Sequence, residues 1–218
     1  MADLGRVLAA ARAPGLALRL DVQGVRVFRP RLAFDPVRMR SDRARANVAA
    51  AGAWLRGLPT ALGLGVTAAR LLAPAGRWRE LMAALQRDVP SAESALRALV
   101  GRGAGSTPAG DDVALGALAY GWAVKGQDAP AVTAMRSLIP ELCTLTTALG
   151  ASYLRAAARA EFGGHLIAWV RALPRASQLR TQGLAMRLTR HGATSGFDTL
   201  AGFVAAAEAA DAAQLTRM

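Results

Sequence analysis

GRGAGSTPAGDDVALGALAYG, residues 101–121, opens as a loop and closes as a helix. Four glycines fall among its first ten residues. Ser106-Thr107-Pro108 interrupts them, and two aspartates stand side by side at 111 and 112. The remainder is apolar and rich in alanine and leucine, a composition suited to closely packed helices. Glycine allows the sharp turn that must precede it.

The same helical grammar runs outward on both sides. Ser41 reads as the N-cap of a helix through Leu55, and a Gly/Pro-rich link covers 57–65. Helices are expected near 66–73 and 77–87. Pro90 should stop the second of these, and Ser91 should cap another that ends at Gly101. The quoted loop feeds a helix to about Gly126. Asp128 reads as the cap of the next, ending before Pro140. A longer helix is expected from Pro140 to Phe162, then short ones at 165–173 and 177–190, and a last one from Gly196 to about Ala213. Ahead of all this, residues 1–13 read as a short helix ended by Pro14-Gly15. Leu16, Leu18, Leu20 and Val22 alternate with Ala17, Arg19, Asp21 and Gln23, the period of a half-buried strand. Val25, Val27 and Phe28 resume it after Gly24. A hairpin or small sheet over 15–35 is therefore expected. The fold class expected is mainly α (α+β): a small β-containing segment over 1–40, then a helical domain over 41–218.

The chain has 218 residues, 53% of them hydrophobic, which is enough for a real core and argues against disorder. Its net charge is +12, and Lys125 is the only lysine. The simplest reading is a bias toward arginine on solvated helix faces. A nucleic-acid partner is not expected: the densest patch, Arg38, Arg40, Arg43 and Arg45, is short and has no interleaved aromatics. A single cysteine, Cys143, permits no disulfide within the chain. Charged residues at Asp3, Arg6 and Arg12 interrupt any signal-peptide core, and no apolar run reaches membrane-spanning length. A cytoplasmic location follows as the default, with no membrane association.

A second loop, HGATSGFDTLAGF at 191–203, repeats the pattern of the first. Gly110-Asp111-Asp112 followed by Gly116 and Gly196-Phe197-Asp198 followed by Gly202 are both G-x-D-x-x-x-G. Hydroxyl residues precede each. In a helix, Asp112 and Gly116 share one face, as do Asp198 and Gly202, so the glycines would let the two helices approach closely there. Three readings stay open. The aspartates favour helix starts electrostatically. Alternatively, Gly105, Ser106, Thr107, Gly110, Thr194, Ser195 and Gly196 bind an anion at the two helix N-termini. Alternatively again, Asp111, Asp112 and Asp198 hold Mg2+ that bridges to a ligand, provided the loops meet in space.

Thr144, Thr146 and Thr147 fall inside the long expected helix, where threonine is not favoured. They read either as back-bonded to the preceding turn or as a hydroxyl patch facing the glycine loops. Cys143 reads as a core residue. His191 fits a helix C-terminus beside Gly192, with a substrate role as the alternative, and His165 reads as structural. Glu161 and Glu208 are expected on solvated surface.

Taken together, GxGxGSTPAGDD, the pair Thr146-Thr147 and TSGFDTLAG resemble the AllH-like family over roughly residues 95–205. The family has often been treated as a domain of unknown function. Its namesake is one of three proteins associated with oxamate carbamoyltransferase in anaerobic allantoin (purine) catabolism. That enzyme moves a carbamoyl group between oxamate and phosphate. Gly105, Thr107, Pro108, Gly110, Asp111 and Asp112 match the first motif. Thr146 and Thr147 match the second; Thr194, Ser195, Gly196, Asp198, Leu200 and Gly202 match the third. The chain departs from the family pattern at Ser106 and Gly150. The resemblance implies a subunit that binds a small anionic metabolite such as oxamate or carbamoyl phosphate, with partner subunits and a homo-oligomer as expected assemblies. The alternative is a ligand-binding or assembly subunit with no turnover of its own. GDDVALG and FDTLAG also resemble, over a shorter stretch, the loops of helical ADP-ribosylglycohydrolases, which implies a Mg2+-dependent hydrolase instead.

Overall fold

Side chains mark five of the helix starts among the described residues. In the computed structural model, which describes residues 30–32 and 36–215, Ser41, Thr67, Asp88, Thr147 and Ser177 each accept a hydrogen bond from an N–H in the turn that follows. Such a cap stabilises a helix by about 1 kcal/mol. The helices are α1 (Pro36–Met39), α2 (Asp42–Arg56), α3 (Ala68–Leu71), α4 (Arg77–Arg87), α5 (Val89–Leu99), α6 (Ala109–Lys125), α7 (Pro130–Leu142), α8 (Ala148–Ala157), α9 (Gly164–Ala172), α10 (Gln178–Thr189) and α11 (Ser195–Leu215). A 3-10 turn, Gly126–Asp128, joins α6 to α7.

Two of them form the centre. Helix α6 is apolar all round and buried on every side except at Trp122 and Lys125, as a helix without a polar face must be. It packs along α11, whose residues 196–207 are buried as well. Glycine makes this contact so close. A Cβ at Gly116 would overlap the Thr199 carbonyl, and a Cβ at Gly202 would overlap the Val113 carbonyl. Phe203 meets Tyr120 of α6 and Trp169 of α9 edge to face, at 5.5 and 4.9 Å between ring centroids. Helices α2, α4 and α10 cover α11, while α5, α7 and α8 gather on α6.

The fold class is corrected by the structure: it is helical, with no strand or sheet among the described residues. Most of the hairpin expected over 15–35 lies outside the described residues, as does most of the 1–40 segment. What is described of it is a single antiparallel bridge from Arg31 to Glu161, with Leu32 N donating to Ala160 O (2.8 Å) and Phe162 N to Pro30 O (3.3 Å). Alternation marks out a face but supplies no partner, and helices satisfy their own backbone groups. Here the partner of residues 30–32 is the irregular turn after α8.

Three helix boundaries also differ. Asp88, not Ser91, caps α5, and Pro90 sits in its first turn, where no N–H is required. Pro140 lies inside the last turn of α7, and Asp128 ends the 3-10 turn without capping α7. The long helix expected over 140–162 is broken: α7 ends at Leu142, and Thr147 starts α8. The threonines therefore lie between helices, where hydroxyls compete well for backbone groups.

Candidate functional site

The two glycine–aspartate loops are copies of one helix–loop–helix unit. In the first, α5 leads through Arg102 and Gly103 into α6; in the second, α10 leads through His191 and Gly192 into α11. Gly110 N donates to Arg102 O (2.8 Å), and Gly196 N donates to His191 O (3.0 Å). Gly103 and Gly192 both have positive φ, +95° and +69°. A Cβ at Gly110 would strike the Leu99 carbonyl, and one at Gly196 the Leu188 carbonyl. Leu99, Arg102, Gly103, Ala109, Gly110, Asp112 and Gly116 thus correspond to Leu188, His191, Gly192, Ser195, Gly196, Asp198 and Gly202. The first loop carries three additional residues, Gly105-Ser106-Thr107. The Gly116–Thr199 and Gly202–Val113 contacts are one contact made twice, so the two units face each other reciprocally across the α6–α11 crossing.

The loops meet. Thr107 Oγ1 and Ser195 Oγ are 2.9 Å apart and hydrogen-bonded. The threonine loop joins the same cluster. Thr146 donates a short hydrogen bond to Asp111 Oδ2, and Thr147 Oγ1 donates to Ser106 O at 2.5 Å while capping α8. Gly105 shapes the loop at φ +112°. Thr194 lies against Gly63: a Cβ there would stand 2.8 Å from the Thr194 hydroxyl.

The three aspartates have different surroundings. Asp111 is fully buried and engaged at both oxygens, by Thr146 and by Gly101 N at 2.7 Å. Burial pushes its carboxyl up, opposed by those two donors. Asp198 is fully buried too; its Oδ1 accepts from Gly63 N at 3.0 Å, and burial pushes its carboxyl up to about 6. Asp112 is 4% exposed, and its Oδ2 has no hydrogen-bond partner. Burial, with the neighbouring charges of Asp198 and Asp111, pushes it up to about 7, moderated by the Ser195 and Thr107 hydroxyls. Among the described residues, no three of His, Cys, Asp and Glu gather closely enough to hold a metal ion. Each Asp111 oxygen already accepts a hydrogen bond.

Asp112 borders a cavity of about 280 Å3. Ser106, Thr107, Ser195 and Gly196 line it on the loop side, and His165 and His191 stand together across it with ring centroids 5.7 Å apart. Among the described residues, none that lines it is arginine or lysine. Leu149 and Tyr153 of α8 form an apolar rim and are about half exposed. Asp111, Thr146, Thr147, Thr194 and Asp198 do not line the cavity; they brace the loops behind it.

Sequence reasoning placed His165 and Glu161 elsewhere. Glu161 is 9% exposed, lines the cavity, and pairs with Arg159 at 2.9 Å. Glu208 pairs with Arg56 at 2.6 Å and is not simply solvated. Gly63 was missed entirely, and no local signal marks it. His165 had one signal, the Gly163-Gly164 pair just before it, where α9 begins.

The fold and the site define a helical protein built on two facing copies of a glycine–aspartate unit, with a small cavity at one of them that combines apolar walls with a few hydroxyl and acidic side chains. Residues 99–207 match the family model for AllH, the oxamate carbamoyltransferase subunit, and the chain belongs to that family. The match takes in both loops and the threonine loop and leaves Gly63 outside it. No solved structure matches the chain. No helix among the described residues is long and apolar enough to cross a membrane.

Proposed function

We propose that this chain serves as a subunit of an oxamate carbamoyltransferase-type enzyme and holds a small anionic substrate in the cavity beside Asp112. The observation that carries this is a cavity of about 280 Å3 lined from both family motifs, with the Thr107 and Ser195 hydroxyls and Asp112 at its edge. Thr107 and Ser195 offer hydroxyls, and the first turn of α11 at Ser195 and Gly196 offers a positive helix end to an anion. Carbamoyl transfer needs no protein nucleophile. It requires two small molecules held in register and stabilisation of the negative charge that develops on the carbamoyl oxygen.

Among the described residues, His165 and His191 are the lining side chains able to carry positive charge. We place the remaining positive charge on a partner subunit, which would meet this chain at the rim formed by Leu149 and Tyr153. A Mg2+ ion in this cavity would find Asp112 as its one carboxylate from the paired loops, and would take its other ligands from substrate and water.

Calorimetric titration with oxamate and carbamoyl phosphate, on the chain alone and with its partner subunits, tests the assignment. Saturable binding of one ligand per chain, lost in Ser195→Leu, which fills the cavity, is the expected result. No binding in either preparation, or binding untouched by Ser195→Leu, contradicts it.

A further inference from the structure

Helix α10 turns an inner face of Thr181, Ala185 and Leu188 into the body of the protein, where it packs on α2, α9 and α11. On the opposite side Leu179, Gly183, Met186 and Arg190 follow the i, i+4, i+7, i+11 spacing of a single helix stripe. Leu179 is 82% exposed and Met186 49%. Gly183 stands between them in the middle of the helix, where glycine costs stability. Gly110, Gly116, Gly196 and Gly202 are each held against a carbonyl, whereas a Cβ on Gly183 would meet nothing within 4 Å. Its small size serves no contact among the described residues. The charge around this stripe is of one sign. From Phe162 to Phe197 the chain carries five arginines, two histidines and no acidic residue. Arg175, Arg180, Arg187 and Arg190 are exposed, and none of them pairs with a carboxylate among the described residues. Elsewhere exposed arginines do pair: Arg45 with Asp42 at 2.7 Å, Arg56 with Glu208 at 2.6 Å and Arg97 with Glu141 at 2.7 Å.

We infer that a partner subunit docks on this face of α10 through an acidic surface, with an apolar patch over Leu179 and Met186 and carboxylates against the surrounding arginines. The inference rests on the reading of the chain as a subunit, and not on what the cavity holds. Methionine and arginine are residues that protein interfaces favour, with the apolar groups at the centre and the charges at the rim. Gly183 lets a partner's backbone come close, as Gly116 and Gly202 do between α6 and α11. The charge selects the occupant. A second copy of this chain would set arginine against arginine. A membrane surface calls for a broad apolar face with aromatics, and α10 already packs Leu184, Ala185 and Leu188 on the core. The position suits a subunit of this enzyme. Leu188 and His191, at the end of α10, line the cavity, and Arg187 lies one turn before His191 on the same side. A partner seated here stands beside the mouth of the cavity that Leu149 and Tyr153 rim.

Sedimentation velocity of the full chain mixed with its partner subunits, without substrate, tests this. Leu179→Asp and Arg187→Glu should each weaken assembly at least about tenfold. Raising the salt to about 0.5 M should weaken wild-type assembly more than that of Arg187→Glu. Gly183→Leu should weaken assembly without lowering the melting temperature of the isolated chain, which separates lost docking from lost folding. Assembly left within about twofold of wild type by either charge substitution overturns the inference. A wild-type chain that forms no complex with the partner subunits overturns it too. Binding to phosphatidylserine vesicles that Leu179→Asp abolishes, with assembly untouched, gives the face to a membrane instead. Failure of oxamate to bind, with assembly responding as expected, strikes the cavity assignment alone and leaves the docking face standing.

Discussion

Substituting asparagine for Asp112 should make the protein less sensitive to alkaline pH. Burial holds the Asp112 carboxyl at about 7, against an ordinary aspartate value of 3.8. An acid whose pKa is raised by folding binds its proton more tightly in the native state. It favours the native state at low pH and loses that contribution as pH climbs toward 7. At pH 5 the group is ionised in the unfolded chain and protonated in the native one; at pH 8 it is ionised in both. The two units between 5 and 7 correspond to about 3 kcal/mol of stability lost by wild type over that interval. The asparagine side chain has no proton to lose. Asp198, Asp111, Glu161, His165 and His191 are present in both proteins, and to first order their titration cancels in the comparison. Urea unfolding of wild type and Asp112→Asn at pH 5 and pH 8 measures it. The variant's stability relative to wild type should rise by about 3 kcal/mol from pH 5 to pH 8, a shift of roughly 1 M in urea midpoint. A relative stability that is flat with pH, or that falls, would refute the placement of a buried, unpaired Asp112.

Three further outcomes follow from the same geometry. Gly116→Ala or Gly202→Ala places a methyl group onto a carbonyl of the facing helix, so each should cost about 3 kcal/mol or more in thermal or urea unfolding. Thr146→Val removes a donor from the fully buried Asp111, at about 1–3 kcal/mol, and should loosen the first glycine loop as read by hydrogen exchange at Gly101. Asp112 is the one carboxylate of the paired loops that lines the cavity, so Asp112→Asn should abolish any effect of Mg2+ on oxamate binding in titration; an effect that survives the substitution would place the metal elsewhere.

Much of the helical frame was legible because its signals are local. Ser41 declared its cap, and the 77–87 helix emerged with those limits, since caps and apolar periodicity act within a few residues. The likeness of the two loops was also legible, and so was the use of Gly116 and Gly202 for close approach. The threonines misled because apolar residues flank them on both sides, and Thr147 reveals itself as a cap only once Ser106 O and Gly150 N are in place. Glu161 was read as solvated because nothing within its own turn signals its burial; that comes from residues brought to it by the fold. Gly63 lies 135 residues from Asp198, and only the assembled structure can pair them. The alternation at Leu16–Val22 lies outside the described residues; alternation in itself describes a face but not whether a second strand meets it.

A crystal structure of the chain with its partner subunits and oxamate tests the central claim most directly. Oxamate is expected in the cavity, within hydrogen-bond distance of the Thr107 or Ser195 hydroxyl and the first turn of α11. Oxamate found outside this cavity would contradict the site assigned to it.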